Sequence, residues 1–326
     1  MKIRVLSGDD VAAVLSMKTA IDLMRDAFVQ LSAGEAHVPL RTRIDAEKTG
    51  CGVLIMPGHL PNESSIGLKI VSIQDRNPAR SLPTIQGLMI VINDDTGEPV
   101  AMMDAERLTA IRTGAASGLA TDLLANADSS VAAIFGAGPQ AETQLEAIAE
   151  VRNLDIAYVY SRPEDSAETF AEQMSARLGI RVVCAESPTE LRNADIICTA
   201  TTSIDPVFDA NNVKPGAHIN AIGSFSPDTI EIPHELVAGA IVVVDQRDAC
   251  LQEAGELVQT IQAGLMQAGD VRAELGEIAA GRAKGRRSQT DITLFKSVGN
   301  AVQDVAAARF VFDSSVDQNL GTIVTL

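Results

Sequence analysis

The sequence predicts an α/β protein with a doubly wound parallel sheet and a second, separate domain. Buried strands and helices alternate from Ser130 onward, and a glycine-rich turn follows the first of these strands. The 326 residues also exceed what one hydrophobic core usually holds. The residues before Ser130 follow a different pattern, so we assign them to the second domain.

The amino-terminal region begins with a predicted helix from about Lys18 that Gly34 ends. Apolar residues recur there at spacings of three and four: Ile21, Met24, Phe28 and Leu31. Three short β-like runs follow, at residues 52–56, 67–72 and 87–92. The last run meets the turn signal 93–97 and then the run 99–103, which predicts a hairpin. An alanine-rich segment, 109–124, is a predicted helix that leads into the next domain.

The region after Ser130 reads as a series of buried strands separated by helices. The candidate strands are 131–135, 156–160, 180–184, 196–200, 219–223 and 241–245. Two polar, glycine-containing stretches, 263–269 and 281–287, precede a final helix predicted from about Ser297 to Phe312. This alternation is typical of a parallel sheet with crossover helices.

Composition and charge exclude several classes of protein. The formal net charge is −17, so DNA and an anionic membrane surface would be repelled overall. No apolar run approaches the length of a membrane span, and the first residues lack the pattern of a signal peptide. We therefore expect a cytoplasmic protein. The four cysteines lie far apart without a C-x-x-C pair, so they are expected to be core thiols and no metal site is predicted.

The stretch IFGAGPQAETQ predicts a dinucleotide site. The strand 131–135 runs directly into Gly136-x-Gly138-x-x-Ala141, and a helix follows. The first glycine permits the tight turn, the second lets the backbone approach a pyrophosphate, and the small third residue lets helix and strand pack closely. Phosphate would then sit at the helix amino terminus. The alternative is a glycine turn with a purely structural role.

The end of the second strand bears on the choice of cofactor. A carboxylate there suits the ribose of NAD, whereas an arginine suits the 2′-phosphate of NADP. Ser161 and Arg162 therefore favour NADP, although Glu164 and Asp165 nearby leave NAD open. The full set of predicted cofactor-binding residues is Gly136, Gly138, Pro139, Gln140, Ala141, Ser161, Arg162, Thr199, Ala200, Thr201, Gly223 and Ser224.

The small residues Thr199, Ala200 and Thr201 could pass close beneath a nicotinamide ribose. A plain junction between strand and loop explains them nearly as well.

Three cations lie in or beside predicted buried elements: Arg41, Lys69 and Arg112. Burying them is costly without an anionic partner. The carboxylate of an amino-acid-like substrate would supply that partner, and an internal salt bridge to Asp or Glu is the alternative. Arg43 could replace Arg41 as the inward-facing residue.

Several motifs resemble the ornithine cyclodeaminase and mu-crystallin family, in its order and spacing. They are GLKIVS, SLPTIQGLMIVINDDTGEPVAMMDAERLTAIRTGAASGLA, IFGAGPQAETQ, PGAHINAIGS and TLFKSVGNAVQD. The resemblance implies a Rossmann-type domain over 119–295 and an α+β substrate-binding and dimerisation domain formed from both termini, 1–118 and 296–326. It also implies a homodimer, and it assigns Arg41, Lys69 and Arg112 to the substrate carboxylate and its neighbourhood.

One position departs from the ornithine cyclodeaminase pattern. Bacterial-type members usually carry an aspartate directly after the Gly-Gly or Gly-Ser pair, where it acts in proton transfer, and this chain has Phe225. Its Ser-x-Pro-Asp sequence is more similar to the mu-crystallin and ketimine reductase branch. Asp228, like Lys69, is a candidate catalytic residue. Its alternative role is to cap a helix over 229–236.

The expected function is NAD(P)H-dependent reduction of small cyclic imine carboxylates, of the Δ1-pyrroline-2-carboxylate or Δ1-piperideine-2-carboxylate type, to L-amino acids. Three alternatives stay open: an ornithine cyclodeaminase with bound NAD, an alanine dehydrogenase, and a non-catalytic NADPH- and ligand-binding protein of the mu-crystallin kind. All four share the dinucleotide turn.

Overall fold

The computed structural model describes every residue from Met1 to Leu326 and divides into two compact units. Unit 1 is Met1–Arg112 with Asn300–Leu326, and unit 2 is Thr113–Gly299. The boundaries at 112/113 and 299/300 differ by a few residues from those suggested by the sequence, 118/119 and 295/296. The first differs because one continuous helix, Ala105–Leu124, runs across it.

Unit 1 is built on a mixed seven-stranded sheet. Its strands are β1 (Lys2–Leu6), β2 (Thr42–Ala46), β3 (Cys51–Leu60), β4 (Ser65–Ile73), β5 (Ile85–Asn93), β6 (Pro99–Asp104) and β15 (Thr322–Thr325). Its helices are α1 (Gly8–Val14), α2 (Met17–Ala33), α10 (Ala301–Asp317) and the first part of α3 (Ala105–Leu124). The strand order is β15-β1-β6-β5-β4-β3-β2, in which only the pair β1 and β6 is parallel.

Helix α10 lies close against strands β3 and β4. A Cβ atom at Gly67 would lie 2.6 Å from Cγ2 of Val305, and one at Gly58 would lie 3.0 Å from Cβ of Ala301. Glycine at these two positions therefore lets the helix approach the sheet. The same approach brings the first turn of α10 to the middle of β4.

The hairpin predicted between the β5 and β6 regions is confirmed, because the two strands pair antiparallel. The side chain of Asn93 accepts hydrogen bonds from the backbone N–H groups of Asp95 and Thr96, and Gly97 adopts a φ of 73°. The turn residues thus have the backbone roles that the sequence indicated.

Unit 2 contains a parallel eight-stranded sheet. Its strands are β7 (Val131–Phe135), β8 (Ile156–Tyr160), β9 (Arg181–Cys184), β10 (Ile196–Thr199), β11 (His218–Ala221), β12 (Ile241–Val244), β13 (Ala273–Glu274) and β14 (Thr293–Lys296). Its helices are α4 (Pro139–Val151), α5 (Glu164–Leu178), α6 (His234–Gly239), α7 (Arg247–Glu253), α8 (Gly255–Gln262) and α9 (Leu275–Ala279). Short 3₁₀ turns complete the chain at Pro61–Glu63, Pro78–Arg80, Pro188–Asn193, Ala210–Asn212 and Ala268–Asp270.

The strand order of unit 2 is β13-β12-β14-β11-β10-β7-β8-β9. The direction of strand addition reverses at β7, which lies between β8 and β10. This is the doubly wound arrangement in which a ligand binds beyond the carboxyl ends of the strands at the reversal point. The predicted fold class, an α/β doubly wound sheet with a second α+β domain, is confirmed.

Strand β14 was not predicted from the sequence, and it inserts between β11 and β12. Its four residues, Thr293–Lys296, are all buried, and such a short run that ends in lysine carries little strand signal. The final helix begins at Ala301 rather than near Ser297, because the Asn300 side chain caps its amino terminus. No helix in the structure combines the length and the apolar character needed to cross a membrane.

Candidate functional site

Lys69 lies in unit 1 at an inward position of strand β4. The alternation of the strand turns Ser65, Gly67 and Lys69 to its buried face, so the lysine is only 2% exposed. Its Nζ atom lies 2.9 Å from Oδ1 and 2.8 Å from Oδ2 of Asp304, in the first turn of α10. The hydroxyl oxygen of Thr109, on α3, lies 3.4 Å from the same Nζ. A buried ammonium is therefore held by a buried carboxylate.

Arg112 reaches the same carboxylate from helix α3. Its Nε atom lies 3.0 Å from Oδ1 of Asp304, as an ion pair rather than an aligned hydrogen bond. Its Nη1 donates to Oε1 of Gln303 at 2.6 Å. Gln303 also accepts a hydrogen bond from the backbone N–H of Asn300, so the cap of α10 and the arginine share one amide. Two cations thus surround one carboxylate, and the sequence had offered both a substrate carboxylate and an internal salt bridge as their partner.

The protonation of Lys69 is shifted by these surroundings. Burial, together with the positive charge of Arg112, lowers the pKa of Lys69 to about 8, and Asp304 opposes that shift. The charge of Arg41 lowers it further, so Arg41 lies within electrostatic range of Lys69. Arg43, in contrast, is exposed on β2 and pairs with Asp45 at 2.9 Å. The charge of Arg41 thus acts on the pKa of Lys69, whereas Arg43 is paired with Asp45.

The dinucleotide turn in unit 2 has the geometry that its glycines suggest. Gly136 adopts a φ of 110°, and a Cβ atom there would lie 2.5 Å from the carbonyl oxygen of Ala200. Gly138 caps helix α4, and a Cβ atom there would meet nothing within 4 Å. Ala141 is fully buried against the sheet. The turn therefore presents an open cradle at a helix amino terminus, which fits the pyrophosphate of a dinucleotide.

The neighbouring residues of the turn also match this use. Pro139 occupies the first turn of α4, where its missing N–H costs no hydrogen bond. The Oε1 atom of Gln140 is buried without a hydrogen-bond partner. An unsatisfied buried acceptor beside an open cradle fits a ligand with donor groups.

Ser161 and Arg162 directly follow β8, and neither of these two positions is a carboxylate. Arg162 is exposed and forms no ion pair, and the acidic residues Glu164 and Asp165 belong to the first turn of α5. At the strand itself, the ring of Tyr160 stacks on Phe135 with centroids 4.5 Å apart. The Arg162 side chain is therefore available to an anionic group.

The ends of β10 and β11 meet at a carboxylate that the sequence analysis missed. Glu231 is fully buried and accepts hydrogen bonds from the side chain of Thr199 and from the backbone and side chain of Thr201. It also accepts from the backbone N–H groups of Gly223 and Ser224. The predicted cofactor residues of these two strands are thus joined through one side chain. No local pattern marks Glu231, because its partners come from two other segments.

Asp228 does not cap a helix over 229–236, so that expectation is wrong. The next helix, α6, begins at His234 after Pro233. Proline disfavours helical backbone in the preceding residue, Ile232, which opposes a helix that runs through this position. Asp228 is an exposed residue in the loop that follows β11.

The sequence pattern of the ornithine cyclodeaminase/mu-crystallin family matches residues 1–319. The chain belongs to this family. A Δ1-pyrroline-2-carboxylate reductase of Bacillus cereus is 36% identical over 319 residues, which are 97% of this chain and 98% of the relative.

Two solved structures of the family are also similar. Thermococcus litoralis Δ1-pyrroline-2-carboxylate reductase in complex with NADH and L-proline is 40% identical, with a TM-score of 0.94 and coverage of 98% of this chain and 99% of that chain. An archaeal alanine dehydrogenase dimer with bound NAD is 35% identical, with a TM-score of 0.94 and full coverage of both chains.

These relatives confirm the family resemblance and the predicted enzyme class. This member of the family is an NAD(P)-dependent oxidoreductase of the class that acts on C=N or CH–NH bonds. The structure shows no group of three or more His, Cys, Asp or Glu side chains that could hold a metal ion. The open turn at the amino terminus of α4 has a shape that fits the dinucleotide cofactor of this class.

Proposed function

We propose that this enzyme reduces small cyclic imine carboxylates, of the Δ1-pyrroline-2-carboxylate or Δ1-piperideine-2-carboxylate type, to L-amino acids with NADPH or NADH. One observation carries the proposal: Lys69 and Arg112 are buried around the single carboxylate of Asp304. Two cations against one anion leave a positive charge that a substrate carboxylate would balance. The similarity to reductases of this substrate class supports the same choice.

The substrate carboxylate would be held by Arg112 and Arg41, with Lys69 beside it. Arg112 is fixed by Asp304 and Gln303, so its position is set before substrate arrives. A fixed guanidinium orients a carboxylate and lowers the entropic cost of reaching the reactive geometry. That rigidity supports the binding role proposed for Arg112.

Reduction of an imine adds one hydride to carbon and one proton to nitrogen. The bound reduced nicotinamide supplies the hydride. We assign the proton to Nζ of Lys69, because its pKa of about 8 allows it to hold a proton at neutral pH and to release it readily. Asp228 is exposed in its loop, so we leave it outside this step.

NADP is the proposed cofactor in preference to NAD. The support is Arg162, which is exposed and unpaired at the end of β8, where the adenosine ribose binds in this fold. Replacement of Arg162 by serine should weaken NADPH binding by about 10- to 100-fold and leave NADH binding within about threefold. Equal losses for NADPH and NADH in a fluorescence titration would remove the basis for the preference.

We also propose a homodimer built on unit 1. Both edge strands of its sheet, β2 and β15, consist of exposed residues, and Ile44 and Ile323 on them are each 55% exposed. Unpaired strand edges with apolar side chains favour association. Light scattering on the purified protein should give twice the chain mass, and a monomer at micromolar concentration would contradict this.

The decisive experiment follows the absorbance of reduced nicotinamide with purified enzyme and freshly generated Δ1-pyrroline-2-carboxylate, without ammonium. Rapid loss of absorbance with proline as the product is expected, with NADPH and NADH compared in parallel. No loss, together with ammonia release from ornithine and catalytic NAD, would instead identify a cyclodeaminase and overturn the proposal.

Alanine dehydrogenase is the second candidate, because an archaeal enzyme of that activity is about as similar as the reductases. The same assay with pyruvate separates the two activities. An alanine dehydrogenase oxidises NAD(P)H with pyruvate only when ammonium is present, whereas the imine reductase needs no ammonium.

A further inference from the structure

Glu231 is a buried carboxylate with hydrogen-bond donors on both oxygens. Oε1 lies 2.7 Å from both the backbone nitrogen and the hydroxyl of Thr201, and Oε2 lies 2.8 Å from the hydroxyl of Thr199 and from the nitrogen of Gly223. The hydroxyl of Thr201 already accepts from the N–H of Ser203, so its own proton points to Glu231. Both oxygens of Glu231 therefore act as acceptors, which is the role of a carboxylate.

The same carboxylate joins the ends of neighbouring strands. Thr199 and Thr201 lie at the end of β10, and Gly223 lies just beyond β11. A Cβ atom on Gly223 would lie 2.4 Å from Oε1 of Glu231, so only glycine allows this approach. Ala200, between the two threonines, also backs the dinucleotide turn through its close approach to Gly136. Glu231 therefore sets the position of the backbone beside the cofactor turn.

Lys296 and Glu256 form a buried ion pair next to Glu231. Nζ of Lys296 lies 2.9 Å from Oε2 of Glu256 and donates to the carbonyl oxygen of Ser224 at 2.6 Å. Oε1 of Glu256 accepts from the backbone N–H of Glu231 at 3.0 Å. All three ionisable side chains are fully buried. Lys296 pairs with Glu256, and no cation pairs with Glu231, whose oxygens accept only from N–H and O–H groups.

The position of Glu231 in the sheet indicates which nucleotide of the bound dinucleotide its negative charge would act on. In the doubly wound order the adenosine ribose lies at the end of β8, and the second nucleotide lies on the other side of the strand reversal. The ends of β10 and β11, which Glu231 joins, belong to that other side. The nicotinamide ring is positively charged when oxidised and neutral when reduced.

We propose that Glu231 is a positioning residue whose negative charge favours the oxidised over the reduced nicotinamide at this site. The inference rests on the dinucleotide site of the proposed function. Stabilising the oxidised form makes the reduced cofactor a stronger hydride donor on the enzyme, which suits reduction of an imine. The hydrogen bonds of Glu231 set the strand ends, and its charge biases the redox state.

Equilibrium binding in the absence of substrate tests this inference. The dissociation constants of NADP+ and NADPH, and of NAD+ and NADH, are measured by calorimetry for the wild type and for Glu231→Gln. The glutamine keeps the size of the side chain and removes its charge. The ratio of the constant for the oxidised form to that for the reduced form should rise on the order of tenfold. An unchanged ratio would overturn the proposal, even if both affinities fall.

Two further variants separate charge from geometry. Glu231→Asp keeps the charge and shortens the side chain, so both affinities should fall while the ratio stays near the wild-type value. Asp195→Asn is the matched control, because Asp195 also joins strand ends through the backbone N–H groups of Ser130 and Val131, at the opposite edge of the same sheet. It should leave the ratio unchanged, and a tenfold rise in the control would contradict a local effect.

Lys296→Gln provides a test of sign that does not depend on the folding of Glu231→Gln. Removal of the ammonium leaves more negative charge, so the ratio should fall, and a rise would contradict the proposal. The outcome is independent of the imine assay. Absence of imine reduction in the wild type, with the expected change of ratio in the variants, refutes only the proposed reaction. Imine reduction by the wild type, with an unaltered ratio in Glu231→Gln, refutes only this inference.

Discussion

The two units each bury a cluster of charges, and the clusters are unbalanced in opposite directions. In unit 1, Lys69 and Arg112 share Asp304, which leaves one positive charge. In unit 2, Glu256 pairs with Lys296, and the neighbouring Glu231 is paired with no cation, which leaves one negative charge. Each excess matches the ligand proposed for its unit, a carboxylate in the first and an oxidised nicotinamide in the second.

The clusters also differ in how they are held. The first is made of ion pairs between side chains from β4, α3 and α10, whereas Glu231 in the second is held largely by backbone N–H groups and threonine hydroxyls. Loss of one side chain should therefore unbalance the first cluster strongly and leave the donors of the second in place. Substitutions in each unit test this difference.

The largest expected effect is that of Asp304→Asn on stability. It leaves Lys69 and Arg112 buried without a counter-charge, so the free energy of unfolding should fall by about 3–5 kcal/mol. Urea denaturation measures the change. The matched control is Asp313→Asn on the same helix, where an exposed pair with Arg309 should contribute less than about 1 kcal/mol. Similar urea midpoints for Asp304→Asn and Asp313→Asn would contradict this prediction, because the buried carboxylate would then stabilise the fold no more than the exposed one.

Arg112→Met should have the next largest effect, on catalysis. Loss of the fixed guanidinium should lower kcat/KM for the imine carboxylate by about 10²- to 10³-fold, because a buried charge partner of the substrate is removed. Affinity for NADPH, measured by fluorescence, should stay unchanged. Arg309→Met, on a partly exposed arginine of the same unit, serves as the control. Activity of Arg112→Met within threefold of the wild type would exclude it from substrate binding.

Gly138→Ala tests the cradle of unit 2. The glycine has a φ of −97° and open space where a Cβ atom would lie, so alanine should leave the unfolding midpoint nearly unchanged. Its methyl group would project where the backbone meets the pyrophosphate, and cofactor affinity should fall by about tenfold or more. Gly136→Ala should instead destabilise the fold by about 1–3 kcal/mol, because of its positive φ. Unaltered cofactor affinity in Gly138→Ala would place the ligand elsewhere.

The smallest effect concerns the pH dependence set by Lys69. Since its pKa is about 8, kcat/KM should fall about tenfold per pH unit above that value as the proton donor is lost. Lys69→Gln should lack this limb of the profile. The unfolded value of 10.5 lies above the folded one, so the unfolded chain binds more protons between pH 8 and 10.5, and the contribution of Lys69 to stability rises across that interval. A profile that stays flat to pH 10 would remove Lys69 as the donor.

Prediction from the sequence succeeded where the signal was local. The dinucleotide turn combines a strand, a glycine turn and a helix within about twenty residues, and the β5–β6 hairpin contains its own turn residues. Prediction failed for Asp304 and Glu231. Asp304 is 235 positions from Lys69 along the chain, and Glu231 binds groups about 30 and 8 residues away that belong to two different loops. Such pairs carry no periodicity.

The fold class, the glycine turn between strand and helix, the family and the presence of costly cations in buried elements could be predicted from the sequence. Each of these depends on short-range pattern or on motifs in a fixed order. Only the three-dimensional structure showed that Asp304 accompanies Lys69 and Arg112, that Arg43 pairs with Asp45, and that Glu231 joins the strand ends. The physical reason is that buried charges are neutralised by whatever side chain the fold brings within hydrogen-bond distance, and that distance is independent of separation along the chain.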